Sequence, residues 1–312
     1  MHIAVVGTGN VGRVTAYTIM CEGLADELSL VDIKPRLAPL LAEELKHAAA
    51  SMRLDVKIYG YERDEDLSGA DIVVVSAGYP RPPGVRMSRR ELIAKNAGII
   101  KYVAEVVPPR NPGAKYVIVT NPVDAMATLF KRVSRAGFVV STGNHLETLR
   151  FRARLAEALN VPYREVWGFV GGEHGENAVI LWSTTHVSGT PVDEYVRERG
   201  LKLDKTSIEG YVKKVSEGII DVLGATRFGP AAAFRDIVRA IARNEGVVLS
   251  IATPSRFKGI PEEVFVSVPT VVGRSLGPKL YSVLVEEELE GLRKAAKSIY
   301  DTYRKGIELL NL

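Results

Sequence analysis

Six short runs rich in β-branched residues alternate with helix-length stretches across the first 142 residues. The strand-like runs are 3–6, 28–33, 56–59, 71–76, 116–120 and 139–142. The stretches between them that read as helices are 11–23, 36–51, 89–107 and 123–136. Several runs are continuously apolar instead of alternating, as strands covered by helices on both faces must be. Strand and helix in this rhythm predict a parallel, doubly wound α/β sheet whose ligands meet the carboxyl ends of the strands.

The second half has a different texture. A helix is expected over 145–159, strands over 166–172 and 178–187, and helices over 206–223 and 230–244. Strands then follow one another, 247–252, 263–272 and 280–285, before a last helix over 286–309. Consecutive strands pair antiparallel, so this half reads as an α+β domain. The expected division is 1–143 and 144–312, joined by a packed hinge, since no repeat or low-complexity linker intervenes.

Composition narrows the classes further. With 46% apolar and 25% charged residues in 312, the chain is globular and long enough for two cores. No apolar run reaches the ~18 residues of a membrane span. The first residues run straight into a strand-like segment without signal-peptide features, and Cys21 is the sole cysteine. A reducing, cytoplasmic setting without a metal is expected, with Cys21 a small buried residue. The net charge of +4 comes from 41 basic and 37 acidic residues without a long basic block, so nucleic acid is not the expected partner. The absence of glutamine and the heavy use of arginine hint at a heat-adapted protein.

The glycine pattern Gly7, Gly9, Gly12, with Thr8, Asn10 and Val11 between, closes the first strand and opens the first helix. In that context Gly7 makes the turn, Gly9 admits a pyrophosphate and Gly12 packs helix on strand. The helix N-terminus offers free N–H groups and partial positive charge. About 20 residues on, Asp32 can accept both ribose hydroxyls and repel a 2′-phosphate, which favours NAD over NADP. Lys34 and Arg36 lie close enough to soften that choice.

Beyond this fingerprint, 7–12, 31–33, 76–96, 119–124, 146–152, 172–176 and 264–271 follow one another as in the lactate/malate dehydrogenase superfamily, which the chain resembles over nearly its whole length. The resemblance implies a two-domain, NAD-dependent oxidoreductase acting on a 2-hydroxy acid, assembled as a dimer or tetramer. By that resemblance His174, in Gly-Glu-His-Gly-Glu, is the acid/base residue, suited by an imidazole that titrates near neutrality. Glu147 stands where the family usually has an aspartate that orients the ring, one methylene longer. Arg150 takes the substrate C1 carboxylate in a fork. Arg89 closes over the substrate and polarises its carbonyl. Asn121 bonds the substrate oxygen, while Val119, Thr120, Asn121 and Asn96 line the cofactor.

Residues 78–90, rich in proline, glycine and arginine, are the expected lid. In the family an arginine at the start of this loop selects malate and oxaloacetate, a glutamine lactate and pyruvate. Arg81 holds that position, with Arg86 a rival because the loop is about two residues longer than usual. A small dicarboxylate is therefore the expected substrate. A lactate or other 2-hydroxy-acid dehydrogenase, an NAD-dependent glycosidase and a non-catalytic NAD-binding protein are the competing classes.

Overall fold

The computed structural model describes residues 1–79 and 89–312, the side chains of Arg89 and Arg90 excepted. The first half contains β1 (His2–Val6), α1 (Gly12–Cys21), β2 (Glu27–Val31), α2 (Leu37–Met52), β3 (Lys57–Tyr61) and β4 (Ile72–Val75). It continues with α3 (Arg89–Arg110), β5 (Lys115–Ile118), α4 (Val123–Ser134) and β6 (Phe138–Ser141). These six strands pair in parallel in the order β3-β2-β1-β4-β5-β6. The order reverses direction between β1 and β4, where a doubly wound sheet opens its crevice.

Strand alternation divides the apolar residues between two faces. Ile3, Val5, Leu28 and Leu30 pack on one side with α1 and α2, whereas Ala4, Val6, Val73 and Val75 pack on the other with α3 and α4. Covering both faces is what makes the strands read as continuous apolar runs.

The second half supplies α5 (His145–Leu159), β7 (Val166–Gly172), β8 (Ala178–Val187), β9 (Thr190–Pro191), α6 (Val192–Glu198), α7 (Lys205–Leu223) and α8 (Phe228–Arg243). It ends with β10 (Val247–Ser255), β11 (Val264–Val272), β12 (Leu276–Lys279) and α9 (Glu286–Leu309). Its strands pair antiparallel, as expected. They also extend the first sheet: Ala252 of β10 stands antiparallel to Ser141 of β6, giving one continuous sheet. Helix α9 likewise crosses halves, contributing Tyr303 and Ile307 to the α3–α4 face.

Four expectations need correction. The strand over 280–285 is absent; Tyr281–Val283 forms a 3₁₀ turn, and the strand lies earlier, at β12. Pro278 hid it, and an edge strand tolerates proline because one side of it needs no donor. The second strand stops at Val31, leaving Ile33 77% exposed. Helix α3 carries Pro108 and Pro109 within its last turn and does not end before them. Cys21 is exposed because α1 ends with it on the solvent side, beside Tyr17.

The joint between the halves turns at Gly143, whose φ is +50°. A Cβ there would lie 2.3 Å from Ser267 Oγ and 2.5 Å from the Ala252 amide nitrogen, both in strands of the second half. Gly143→Ala therefore combines left-handed strain with a clash at the sheet junction. It is expected to cost at least about 1–3 kcal/mol, read as a fall in Tm. Gly137→Ala, where nothing lies within 4 Å of the added carbon, is the control and should stay within about 0.5 kcal/mol.

Candidate active site

The carboxyl ends of β1, β2, β4 and β5 converge on one crevice. At β1, Gly7 turns with φ +88°, and a Cβ on Gly12 would sit 2.0 Å from the Gly7 carbonyl oxygen. The turn and the helix start are thus locked together by close packing. Nothing lies within 4 Å of a carbon added at Gly9, so the open side of the turn faces free space at the N-terminus of α1. That cradle is what a diphosphate requires.

Asp32, just beyond β2, is held beside this turn. Its Oδ2 accepts the Thr8 N–H at 2.8 Å and the Thr8 hydroxyl at 3.2 Å, and its Oδ1 accepts the Lys34 N–H at 2.9 Å. Further along, Ser76 donates to the Gly7 carbonyl at 2.6 Å and Thr120 to the Ala77 carbonyl at 2.6 Å. Asn96 of α3 bridges the crevice: its Nδ2 donates to the Asn121 carbonyl at 2.6 Å and its Oδ1 accepts the Tyr79 N–H at 2.7 Å. The expected cofactor residues therefore lie along one continuous wall.

The second cluster adjoins that wall, since Leu146, beside Glu147, packs with Val11 and Val119. Glu147 and Arg150 lie one turn apart in α5, and Arg150 Nη1 donates to Glu147 Oε1 at 2.9 Å. The other oxygen, Oε2, is 3.0 Å from Nδ1 of His174, in the turn between β7 and β8. The extra methylene of Glu147 is thus accommodated: the longer side chain reaches the ring at hydrogen-bond distance. Glu147 is 3% exposed, whereas the His174 side chain is 27% exposed. One edge of the ring therefore remains open. With Nδ1 engaged, Nε2 is the nitrogen without a protein partner among the described residues.

The charges reinforce one another. Burial works against a protonated His174, but the Glu147 carboxylate, its hydrogen bond and the charge of Asp124 outweigh it, raising the ring to about 9. Burial equally opposes an ionised Glu147, yet the imidazolium and Arg150 hold its carboxyl below the ordinary range. The other histidines are used elsewhere. His2 meets Ser29, His145 is buried against Asp236, His47 is exposed on α2, and His186 lies in β8 near the Thr184 carbonyl.

Sequence reasoning gave no role to Asp124, which is buried in the first turn of α4 and accepts the His174 backbone N–H at 2.9 Å. The available signal was a lone carboxylate in the apolar stretch 123–130. Arg81 and Arg86 lie outside the described residues, as does the Arg89 side chain.

A family model described as the lactate/malate dehydrogenase NAD-binding domain matches residues 1–137, and the lactate/malate dehydrogenase alpha/beta C-terminal domain matches 144–310. The chain belongs to the lactate/malate dehydrogenase family. It is 46% identical over 308 residues to the malate dehydrogenase of Sulfurisphaera tokodaii, covering 99% of this chain and 97% of that one. It is 36% identical over 306 residues to the L-lactate dehydrogenase of Thermus aquaticus, covering 95% and 96%. The crystal structure of malate dehydrogenase from Plasmodium falciparum superposes with a TM-score of 0.90 at 26% identity, covering 99% of this chain and 100% of that one. NAD is accordingly the cofactor of this chain.

The raised value for His174 fixes the sign of a pH effect. A group raised above its unfolded value contributes stability that is whole below the ordinary 6.5 and is lost as pH rises through about 9. The Tm difference between the unmodified protein and His174→Asn is expected to be steady below about pH 6.5, to shrink steadily from there, and to level off above about pH 9. A pH-independent difference would show that the folded ring titrates as the unfolded one does and is not raised.

Proposed function

We propose that this protein is an NAD-dependent malate dehydrogenase, interconverting malate and oxaloacetate. The observation that carries the reading is the unbroken contact from Arg150 through Glu147 to His174. Bound NAD supplies the carbon that accepts or gives up hydride. In our reading His174 supplies and takes back the proton through Nε2, and Glu147 keeps Nδ1 engaged so that one tautomer is presented. Arg150 turns its guanidinium toward the substrate C1 carboxylate, a planar fork suited to that contact. Asn121 donates to the reacting oxygen, and Arg89 adds positive charge where negative charge develops.

On the cofactor side we assign the diphosphate to Gly7, Thr8, Gly9, Asn10, Val11 and Gly12. We assign the adenosine ribose to Asp32 and the nicotinamide side to Asn96, Val119, Thr120 and Asn121. Greater identity to a malate dehydrogenase than to a lactate dehydrogenase supports the dicarboxylate reading. So does Arg81 at the start of the 78–90 segment, a guanidinium that pyruvate would leave unpaired. We take the division as 1–143 for the cofactor half and 144–312 for the substrate half. We further propose a cytoplasmic, heat-adapted homo-oligomer, dimer or tetramer, working in the tricarboxylic acid cycle. Among the described residues no helix is long and apolar enough to cross a membrane.

The test is kcat/KM for NADH oxidation with oxaloacetate and with pyruvate. A preference for oxaloacetate of about 10³-fold or more is expected, and a preference for pyruvate would overturn the malate reading. Arg81→Gln should collapse the preference; if only Arg86→Gln does so, the second carboxylate is read by Arg86. His174→Asn should lose about 10²–10⁴-fold in turnover while NADH still binds, and near-normal turnover would remove it from the mechanism. For the cofactor, Asp32→Gly should raise the use of NADPH relative to NADH, and equal use of both by the unmodified protein would count against the role of Asp32.

A further inference from the structure

Behind the imidazole lies a second buried carboxylate that the roles above leave unused. Asp124 is 2% exposed. Its Oδ2 accepts the His174 backbone N–H at 2.9 Å, and its Oδ1 accepts the Ser141 hydroxyl at 2.7 Å. The Ser141 oxygen in turn accepts the Gly143 N–H at 3.1 Å. One carboxylate thus ties the start of α4, the end of β6 and the histidine turn, and reaches the loop that leads into α5 and Glu147. Its place in the first turn of α4 lends it the favourable end of a helix dipole. Burying a charge is costly, and here both carboxylate oxygens are used as acceptors, which a neutral amide with one acceptor oxygen could not match.

We propose that Asp124 is a positioning residue for His174, fixing the height of the imidazole through the backbone amide while its charge joins that of Glu147 in favouring the protonated ring. The proposal rests on the reading of His174 as the proton donor. Burial pushes the Asp124 carboxyl up to about 6, opposed by the hydrogen bonds from His174 and Ser141. Above that value it is anionic, and the ring holds its proton to about 9. The two charges therefore coexist between about 6 and about 9. The other charges acting on the pair are Glu147 and Arg150 from α5 and Glu173 from the turn itself. Strands β6 and β11 bring the hydroxyls of Ser141 and Ser267, α3 brings the uncharged Asn96, and α9 meets α4 at its other end, through Tyr303 and Arg132.

The experiment is an NMR titration of histidine-labelled protein without cofactor, with the His174 signal assigned by its loss in His174→Asn. Asp124→Asn is expected to lower the ring midpoint by about 1 pH unit and to move the alkaline limb of oxaloacetate kcat/KM equally. An unmoved midpoint in a folded Asp124→Asn protein, with only Tm or kcat reduced, would leave Asp124 a packing residue and overturn the proposal. Ser141→Ala keeps the carboxylate and removes one donor to it, so an inflection of the His174 signal near pH 6 should move upward. If Asp124→Asn does not fold, this variant decides: a missing or stationary inflection overturns the coupling. Near-normal turnover by His174→Asn would sink the proton-donor reading instead, and the midpoint shift would still report the coupling.

Discussion

A carboxylate as buried as that of Glu147 persists as an anion only when both of its oxygens are matched. Here Nδ1 of His174 takes one and Arg150 takes the other. Everything around the site serves to bring those two partners to the same carboxylate. The start of α5 is fixed to the second half by the Asn144 N–H on Ser267 Oγ at 2.9 Å and by Asn144 Nδ2 on the Gly171 carbonyl at 2.7 Å. Thr148, one residue beyond Glu147, accepts the Val170 N–H of β7 at 3.0 Å. The helix delivering the carboxylate and the strand leading to the histidine turn are therefore joined by hydrogen bonds on both sides of Glu147. That rigidity lets the long side chain of Glu147 meet the ring at hydrogen-bond distance, because the geometry is set by the frame and the extra methylene only has to extend.

Much of the fold was legible because its signals are local. The parallel strands of the first half follow from apolar runs between helices, and α5, β7 and β8 fall at the residues their patterns indicate. The glycine turn was legible too, because steric exclusion acts on residue type: no side chain fits where Gly12 meets the Gly7 carbonyl. What was not legible is what depends on partners distant in sequence. The β6–β10 junction is a single register pair between Ser141 and Ala252, and no periodicity in either strand records it. Asp124 looked like an ordinary acidic residue of a first helical turn; its contact with residue 174 is visible only once β6 and β7 are brought together in one sheet. Strand β12 was hidden because Pro278 masks an edge strand's pattern while leaving its pairing intact.

The wall of the glycine turn and the cluster of Glu147 and His174 belong to different halves of the chain, yet they adjoin. Helix α8 links them. Its Ala233 and Phe234 pack with Leu146, next to Glu147, and against Val11 of the glycine turn and Val119 of the crevice wall. Arg235, the next residue, and Arg239, one turn on, pair with Glu22 at the end of α1, at 3.0 and 3.3 Å, while Asp236 between them lies 3.4 Å from the buried His145 at the start of α5. Exposed ion pairs contribute little singly, but these share partners and are half-buried, so displacing one disturbs the rest. Apolar packing on one side of α8 and the charge network on the other hold α1 and α5 to a common body. The spacing between the glycine turn and the imidazole is accordingly set by close-packed side chains with little room to yield.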